Sequence, residues 1–171
     1  PKAPVGFAVG ADPDRVRWAL DQLAAATPAG RAPVSPGLYI NVCVHDDIAV
    51  ATEMVRPGVG IFSHFSGMRG AVPYDISDAD RAVFEAVESG YDQPRHGRGD
   101  AAHAQALPQD FIERFAIVGP AQRCIARLQE LAALGIERFF VIGPRPDQFG
   151  KQAEMASERF AREVIPALRS S

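Results

Sequence analysis

The chain has 171 residues, of which 47% are hydrophobic and 23% charged, with a formal net charge of −3; this composition suits one globular domain with an apolar core and excludes a disordered or fibrous chain. Acidic and basic residues are interspersed, so we expect neither a nucleic-acid nor a membrane-surface partner. No apolar stretch approaches the ~20 residues of a membrane helix and no signal peptide leads the sequence, from which we expect a cytoplasmic protein.

The first strand-to-helix unit is the stretch FAVGADPDRVRWAL. Val5–Val9 predicts a buried strand, and the apolar residues after it recur at helical spacing to about Ala26. Asp12 stands where a helix N-cap belongs, with Pro13 at the first helical position. Free N–H groups at this helix end would favour an anion such as phosphate. An ordinary capped helix, in which Asp12 itself accepts from these groups, explains the same residues.

The middle of the chain contains a loop, a strand and an interrupted helix. Thr27–Gly37 is rich in proline and glycine and predicts a loop, whereas Leu38–Val44 predicts a second strand. A second helix begins near Ile48. We expect Pro57 and the glycines after it to break or kink this helix, with a shorter helix over residues 60–70.

A long loop and two more strands follow. Asp78 predicts the cap of a helix over Ala79–Ser89, which ends at a glycine. Tyr91–Pro108 has no usable period, as expected of a functional or mobile loop. Arg114–Gly119 and Arg138–Gly143 predict the third and fourth strands.

A helix follows each of the last two strands. One opens at Pro120 and stops at Gly135, and the other runs from Gln148 to about Leu168 with an interruption near Pro166. Strands that alternate with helices predict an α/β fold with a parallel sheet. A (β/α)₈ barrel typically needs about 250 residues, so four units indicate either a small open sheet or the carboxyl-terminal half of a larger barrel.

Several polar side chains invite a chemical interpretation. Cys43 and Cys124 are not spaced as metal ligands, so we expect two buried free thiols and no metal site. His45, with Asp46 and Asp47 after it, follows the second strand and indicates either an acid/base or metal cluster or a turn in which Asp47 caps a helix. A further histidine between two phenylalanines, at position 64, either stacks on a ligand ring or lies on a partly buried helix face. No Ser-His-Asp order, Walker loop or Gly-x-Gly-x-x-Gly motif supports a hydrolase or a nucleotide phosphatase.

Three stretches resemble the bacterial luciferase-like monooxygenases and, within them, the branch that uses the deazaflavin coenzyme F420. VGADPDRVRWAL is similar to the fifth strand-to-helix turn of those barrels, and LYINVCVHDDIAVATEMV matches the sixth unit in pattern. The stretch from Tyr91 to Gly143 is similar to the seventh and eighth units and the loop before them. It carries His-Gly, Ala-His, Leu-Pro, Phe-x-Ile-x-Gly-Pro and Leu-Gly-Ile in the family's order.

The resemblance implies that residues 1–171 are a single domain, the carboxyl-terminal half of a (β/α)₈ barrel. Family members are roughly twice as long as this chain. Their amino-terminal half supplies four strands and most polar groups over the reactive carbon. We therefore expect a missing amino-terminal portion or a partner chain and, because relatives commonly form dimers, a homodimer.

The resemblance also implies an oxidoreductase in which F420 exchanges a hydride with a small organic substrate. The cofactor carries this chemistry while the protein holds the ring and excludes water. Two alternatives remain open. One is a monooxygenase that uses FMN and oxygen, and the other is a non-catalytic half barrel that binds a flavin or dimerises.

Candidate site residues follow from the resemblance and from the barrel pattern. The turn after the first strand would contact the cofactor phosphate through backbone N–H groups, although it lacks the hydroxyl or lysine that relatives often have there. The loop over Tyr91–Pro108 would wall the substrate cleft, where a histidine could donate a proton. Barrel enzymes often hold phosphate in their last loops. The candidates are Val9, Gly10, Ala11, Asp12 and Arg145 for the cofactor, and His96 and His103 for catalysis.

Overall fold

The structure is a computed structural model that describes residues 2–30, 34–67 and 76–169. Strands alternate with helices, and each recorded strand pairing is parallel. The parallel α/β class predicted from the sequence is therefore confirmed. The strands are β1 (Ala3–Phe7), β2 (Val34–Val44), β3 (Ile117–Gly119) and β4 (Arg138–Ile142).

Strand β2 forms the centre of the sheet. Its residues Gly37 and Leu38 pair with both β1 and β4, so those two strands lie on opposite edges of β2. Strand β3 pairs with residues 42–44 of β2. In the described ranges β4 pairs with β2 and not with β3, whereas consecutive units of a closed barrel would place β4 beside β3. This part of the chain therefore forms an open sheet.

Helices cover both faces of β2. Leu38, Ile40 and Val42 pack in one core with residues of the helices Pro13–Ala26 and Ala121–Ala133, such as Leu128. Cys43, on the opposite face, packs in a second core with the helices Ile48–Gly67 and Gln109–Phe115. The helices are α1 (Pro13–Ala26), α2 (Ile48–Gly67), α3 (Asp78–Ser89), α4 (Ala102–Gln105), α5 (Gln109–Phe115), α6 (Ala121–Ala133), α7 (Pro146–Phe149), α8 (Lys151–Arg159) and α9 (Ile165–Arg169).

The second strand begins four residues earlier than predicted, so the loop predicted over Thr27–Gly37 is wrong at its end; residues 31–33 lie outside the described residues. Pro36 has no N–H group, yet its carbonyl accepts a hydrogen bond from the Glu137 N–H at 2.9 Å. A Cβ atom on Gly37 would lie 2.8 Å from the Phe140 ring. Pro36 and Gly37 therefore fit within β2. The Pro36 carbonyl still accepts a hydrogen bond from Glu137, and the missing side chain of Gly37 leaves room for the Phe140 ring.

Helix α2 continues through Pro57, contrary to the predicted break. The glycines that follow Pro57 allow close packing. A Cβ atom on Gly58 would collide with the Asn41 amide, and one on Gly60 would lie 3.1 Å from the His103 ring. Packing on β2 and α4 thus offsets the interior proline, which ordinarily costs about 3 kcal/mol. Residues 68–70 of the predicted shorter helix lie outside the described ranges.

Three other boundaries differ by a few residues. Ser77, and not Asp78, caps α3, because its Oγ accepts from the Asp80 N–H at 3.1 Å. The residues before Ile117 end helix α5 instead of opening β3. Strand β1 is Ala3–Phe7, two residues earlier than predicted.

The last helical region is divided twice. It begins at Pro146, breaks at Gly150, where φ is +52°, and contains a π turn over Phe160–Val164. The Ile165 N–H donates to the Phe160 carbonyl, five residues back. The ring of a proline clashes with the carbonyl four residues before it in a regular α-helix. A widened turn just before Pro166 agrees with the interruption predicted there.

Candidate functional site

The turn that follows β1, residues Ala8–Asp12, is called the β1 turn below. Gly10 has a φ of +79°, and a Cβ atom on it would lie 2.7 Å from the Phe115 ring, so both backbone and space require glycine. Asp12 caps α1, because its Oδ1 accepts from the Asp14 N–H at 2.9 Å. The capped helix predicted at this position is therefore confirmed, with Pro13 as its first residue.

Four helices fix the backbone of the β1 turn. Each supplies one hydrogen bond to a carbonyl or N–H group of the turn, so its shape is set before any ligand arrives. The bonds are Ser66 Oγ of α2 to the Ala8 carbonyl (2.6 Å), Arg15 Nε of α1 to the Val9 carbonyl (2.8 Å), the Ala11 N–H to the Phe115 carbonyl of α5 (2.8 Å) and Arg127 Nη2 of α6 to the Ala11 carbonyl (2.8 Å).

The turn has a limited supply of donors for an anion. The N–H groups of Ala11 and Asp14 already have acceptors in the chain. Of the four predicted cofactor contacts, the N–H groups of Val9, Gly10 and Asp12 have no acceptor among the residues that the structure describes. Backbone N–H groups at a helix N-terminus can donate to phosphate oxygens. The cofactor contacts predicted for Val9, Gly10, Ala11 and Asp12 stay a prediction, with the Ala11 N–H already paired.

A cavity of about 180 Å³ lies beside the β1 turn, and two arginines are among the residues that line it. Arg15 is only 6% exposed, and its guanidinium lies 4.8 Å from the centre of the Phe84 ring and 5.6 Å from that of Phe115. Burial lowers the pKa of Arg15 to about 10, against the opposing effect of Asp12 and Asp80. Arg15 therefore remains protonated at neutral pH.

Arg114 joins α5 to α3 at the edge of this cavity. Its Nη2 and Nη1 atoms bind the two Asp80 oxygens at 2.7 and 3.0 Å. This hydrogen-bonded pairing lowers the pKa of Asp80 and raises that of Arg114. The Asp12 carboxylate lies 3.8 Å from Arg114, so part of its negative charge is compensated.

The two candidate catalytic histidines occupy different environments. His103 is fully buried, and its Nε2 donates to the His96 carbonyl at 3.2 Å. His96 is exposed, with its Nδ1 atom 2.6 Å from the Gln93 carbonyl. The segment predicted as a long loop is folded into a 3₁₀ turn at Gln93–Arg95 and helix α4. Catalysis by either histidine stays a prediction.

Residues His96–Gly99, called the Gly97 loop below, are attached to the segment that follows β4. Gln148 donates through Nε2 to the Gly97 carbonyl at 2.6 Å and accepts from the Gly99 N–H at 3.2 Å. Gln105 Nε2 also donates to the Gly99 carbonyl at 2.7 Å. Neither Gln148 nor Arg15 was predicted from the sequence, because a local sequence pattern does not show which distant group a polar side chain will bind.

Arg145 lies against the same loop. A Cβ atom on Gly97 would collide with Arg145 Nη1, so the glycine makes room for the guanidinium. Arg145 also binds Asp147 at 3.0 and 3.1 Å, and this hydrogen-bonded pair lowers the pKa of Asp147. The anion contact predicted for Arg145 stays a prediction.

The cluster after β2 is a helix cap. Asp47 Oδ1 accepts from the N–H groups of Ala49 and Val50 at 2.9 and 3.2 Å, and His45 Nδ1 accepts from the Asp47 N–H at 3.0 Å. Asp46 instead pairs with Arg159 at 3.0 Å. These contacts match the turn interpretation of the cluster.

Other candidate residues are packed within the fold. His64 stacks on Tyr91 with ring centres 3.5 Å apart, and its Nδ1 lies 2.9 Å from Glu88, so it occupies a partly buried helix face. Cys43 and Cys124 are buried free thiols, as predicted, and burial raises their pKa values to about 12 and about 11.

The described ranges contain no group of three or more His, Cys, Asp or Glu side chains that could hold a metal ion. In the same part of the chain, no helix combines the length and the hydropathy needed to span a bilayer.

Comparison with known proteins identifies the family. The family profile described as luciferase-like monooxygenase matches residues 3–138, well over half of the chain. The chain belongs to the luciferase-like monooxygenase family. A search of curated protein sequences found no match. The family resemblance carried by the sequence motifs is therefore confirmed by the profile.

Two solved structures of F420-dependent enzymes share the fold. The coenzyme F420 dependent tetrahydromethanopterin reductase from Methanopyrus kandleri superimposes with a TM-score of 0.61 at 21% identity, over 95% of this chain and 44% of that chain. An F420-dependent secondary alcohol dehydrogenase, solved with an F420-acetone adduct, gives a TM-score of 0.55 at 18% identity, over 97% and 42%. This luciferase-like chain thus spans less than half the length of either structure.

Proposed function

We propose that this chain is the carboxyl-terminal half of an F420-dependent oxidoreductase that transfers a hydride between F420 and a small organic substrate. The observation that carries the proposal is the family match over residues 3–138, which includes the pre-shaped β1 turn. Both solved structures described above are named as F420-dependent enzymes, which supports the deazaflavin over FMN.

Four of the candidate residues have a task in this proposal. The N–H groups of Gly10 and Asp12 bind the cofactor phosphate at the end of α1, where the helix dipole favours negative charge. When bound, F420 supplies the hydride chemistry. The Gly97 loop forms a wall of the substrate cleft, and the exposed His96 is the proton donor. The buried His103 holds His96 in place through its hydrogen bond to the His96 carbonyl.

The rest of the barrel and the oligomeric state are part of the proposal. The remaining strands come from an amino-terminal portion or from a partner chain, because the two solved structures are more than twice as long as the segment matched. The complete protein is proposed to be a homodimer. The mass of the purified protein in solution tests both points.

The decisive experiment is a cofactor titration of the full natural chain. F420 and FMN are titrated separately, and binding is followed by the change in cofactor fluorescence. We expect F420 to bind and FMN not to compete with it. Binding of FMN alone would replace the proposal by the flavin monooxygenase alternative. Binding of neither cofactor would overturn the enzyme proposal for this chain.

Turnover with the His96→Gln variant tests the proton donor. Oxidation or reduction of bound F420 by small alcohols and carbonyl compounds is measured for this variant and for His45→Gln, a half-buried histidine in a helix cap. Loss of a general acid typically lowers kcat about 10²–10⁴-fold. We expect that loss for His96→Gln at an unchanged F420 affinity, and no change for His45→Gln. Equal activity of the two variants would remove His96 from the mechanism.

A further inference from the structure

We propose that Arg15 is a positioning residue that sets the backbone of the β1 turn for the anionic end of the cofactor. The inference deepens the proposed function and rests on it, because it concerns the same turn. Arg15 itself is assigned no contact with the cofactor. It acts through the Val9 carbonyl and the Phe115 ring.

The first support is the contact of Arg15 with the turn itself. Its Nε donates to the Val9 carbonyl at 2.8 Å, one residue before Gly10. A peptide plane joins the Val9 carbonyl to the Gly10 N–H, so this bond orients one of the available donors. Loss of the bond would let that peptide rotate and redirect the N–H group.

The second support is the stack formed by Arg15, Phe115 and Gly10. The Arg15 guanidinium packs against the Phe115 ring, which in turn occupies the space of a Gly10 side chain. The guanidinium also contacts the Phe84 ring of α3, at 4.8 Å. Arg15 thus packs on two aromatic rings, and the Phe115 ring joins it to Gly10.

The chemistry of this position favours arginine over lysine. A guanidinium is planar, so it can pack on aromatic rings while Nε donates in its own plane. A lysine ammonium is a strongly hydrated point charge and would not fill the same slot. Arg15 is also 6% exposed, so a group that fits poorly would leave a charge desolvated.

The same helix offers a matched control. Arg17 lies two residues further along α1, with a side chain that is 53% exposed and paired with Asp14 at 2.5 Å. Both residues are arginines on one helix, and only Arg15 reaches the turn. Comparison of Arg15→Met with Arg17→Met therefore separates the effect on the turn from a general loss of positive charge near α1.

The test compares two probes on the full natural chain. One probe is F420, and the other is the same deazaflavin with its ribityl chain but without phosphate. The ratio of their dissociation constants measures the contribution of the anionic end of F420, which is the phosphate together with the acidic tail attached to it. A hydrogen bond to a charged group contributes roughly 10-fold or more to affinity. We expect Arg15→Met to reduce the ratio about 10-fold or more, and Arg17→Met to leave it unchanged.

Hydrogen exchange of the cofactor-free protein provides a second readout. We expect faster exchange at the Ala11 amide, which the Phe115 carbonyl protects, in Arg15→Met but not in Arg17→Met. An unchanged affinity ratio in a folded Arg15→Met protein would overturn the inference, whatever its thermal stability. If Arg15→Met does not fold, the same affinity ratio is measured for Arg15→Lys. We expect a smaller reduction of the ratio in this variant, and an unchanged ratio would overturn the inference.

Failure of the inference and failure of the proposed function give different results. If the wild-type protein binds neither probe, the proposed function is overturned, and the cofactor role of Arg15 with it. If the wild-type protein prefers the phosphorylated probe and Arg15→Met retains that preference, only the role of Arg15 is overturned.

Discussion

The β1 turn and the Gly97 loop are held in opposite ways. The β1 turn is tied to four helices, and its partners Arg15 and Phe115 are buried in the fold. The Gly97 loop carries exposed side chains and is fastened mainly by Gln148 and by the buried His103. The segment proposed to hold the cofactor is therefore part of the core, whereas the segment proposed to meet the substrate is attached from outside. Such an attachment can change in sequence without disturbing the fold.

The strongest test of this contrast is Phe115→Ala. The Phe115 ring is 3% exposed, packs on Phe111 and lies under Gly10. Removal of a buried phenylalanine ring costs about 3–5 kcal/mol of unfolding free energy. Urea unfolding of the variant measures this loss. A loss below about 1 kcal/mol would show that the turn is not built into the core.

Gly10→Ala tests the shape of the turn, with Gly30→Ala as control. Both glycines have positive φ values, +79° and +83°, but a Cβ atom on Gly30 would meet nothing within 4 Å. The control therefore measures backbone strain alone, on the order of 1–2 kcal/mol. Gly10→Ala adds the clash with Phe115, and we expect it to cost about 1–3 kcal/mol more. Equal melting temperatures of the two variants would contradict the close contact.

Gln148→Leu tests the attachment of the Gly97 loop. The variant loses two hydrogen bonds, which are worth about 1 kcal/mol each. We expect a loss of about 1–2 kcal/mol in unfolding free energy and faster exchange of the Gly99 amide, with the Ala11 amide unaffected. Gln109→Leu, which removes an exposed bond to Glu113, serves as control and should change little. If the Ala11 amide also exchanged faster, the two regions would not be independent.

The smallest expected effect is the pH dependence of the pair Arg114–Asp80. Arg114 lowers the pKa of Asp80, so the stabilisation is present above the unfolded-state pKa of about 3.9 and is lost as pH falls through the lower folded-state value. We expect Asp80→Asn to lower stability at neutral pH by about 0.5–1 kcal/mol, and the difference from wild type to shrink at low pH. Melting temperatures of the wild type and of Asp80→Asn, recorded from pH 7 downward, measure this difference. Asp21→Asn, at an exposed position of α1, is the control. A difference that stays constant with pH would rule out the ion pair as its cause.

The features that the sequence predicted correctly are local. The Asp12 cap, Pro13 at the first helical position and the apolar face of α6 depend on residues within one or two turns, so a short pattern contains the necessary information. The parallel α/β class follows from the alternation of strands and helices over the whole chain.

The features that were missed depend on distant neighbours. Pro57 stays within α2, and the glycines that follow it pack closely against Asn41 and His103. Gln148 holds Gly97 across 51 residues of sequence. The positions of such partners are fixed only when the sheet and helices have packed. A local sequence pattern therefore does not predict them.

The π turn at Phe160–Val164 has a consequence for the direction of the chain end. A regular helix rotates by about 100° per residue, and a π turn accommodates one residue more than an α turn. The helix after the turn is therefore rotated about its axis by that amount, which brings Leu168 against the same core as Phe160. A regular helix over the same residues would turn Leu168 about 80° away from the side of Phe160, whereas deletion of one residue within the turn would restore a regular helix and keep Leu168 on that side. The turn thus acts as a phase shift that keeps two apolar stretches of helix on one side.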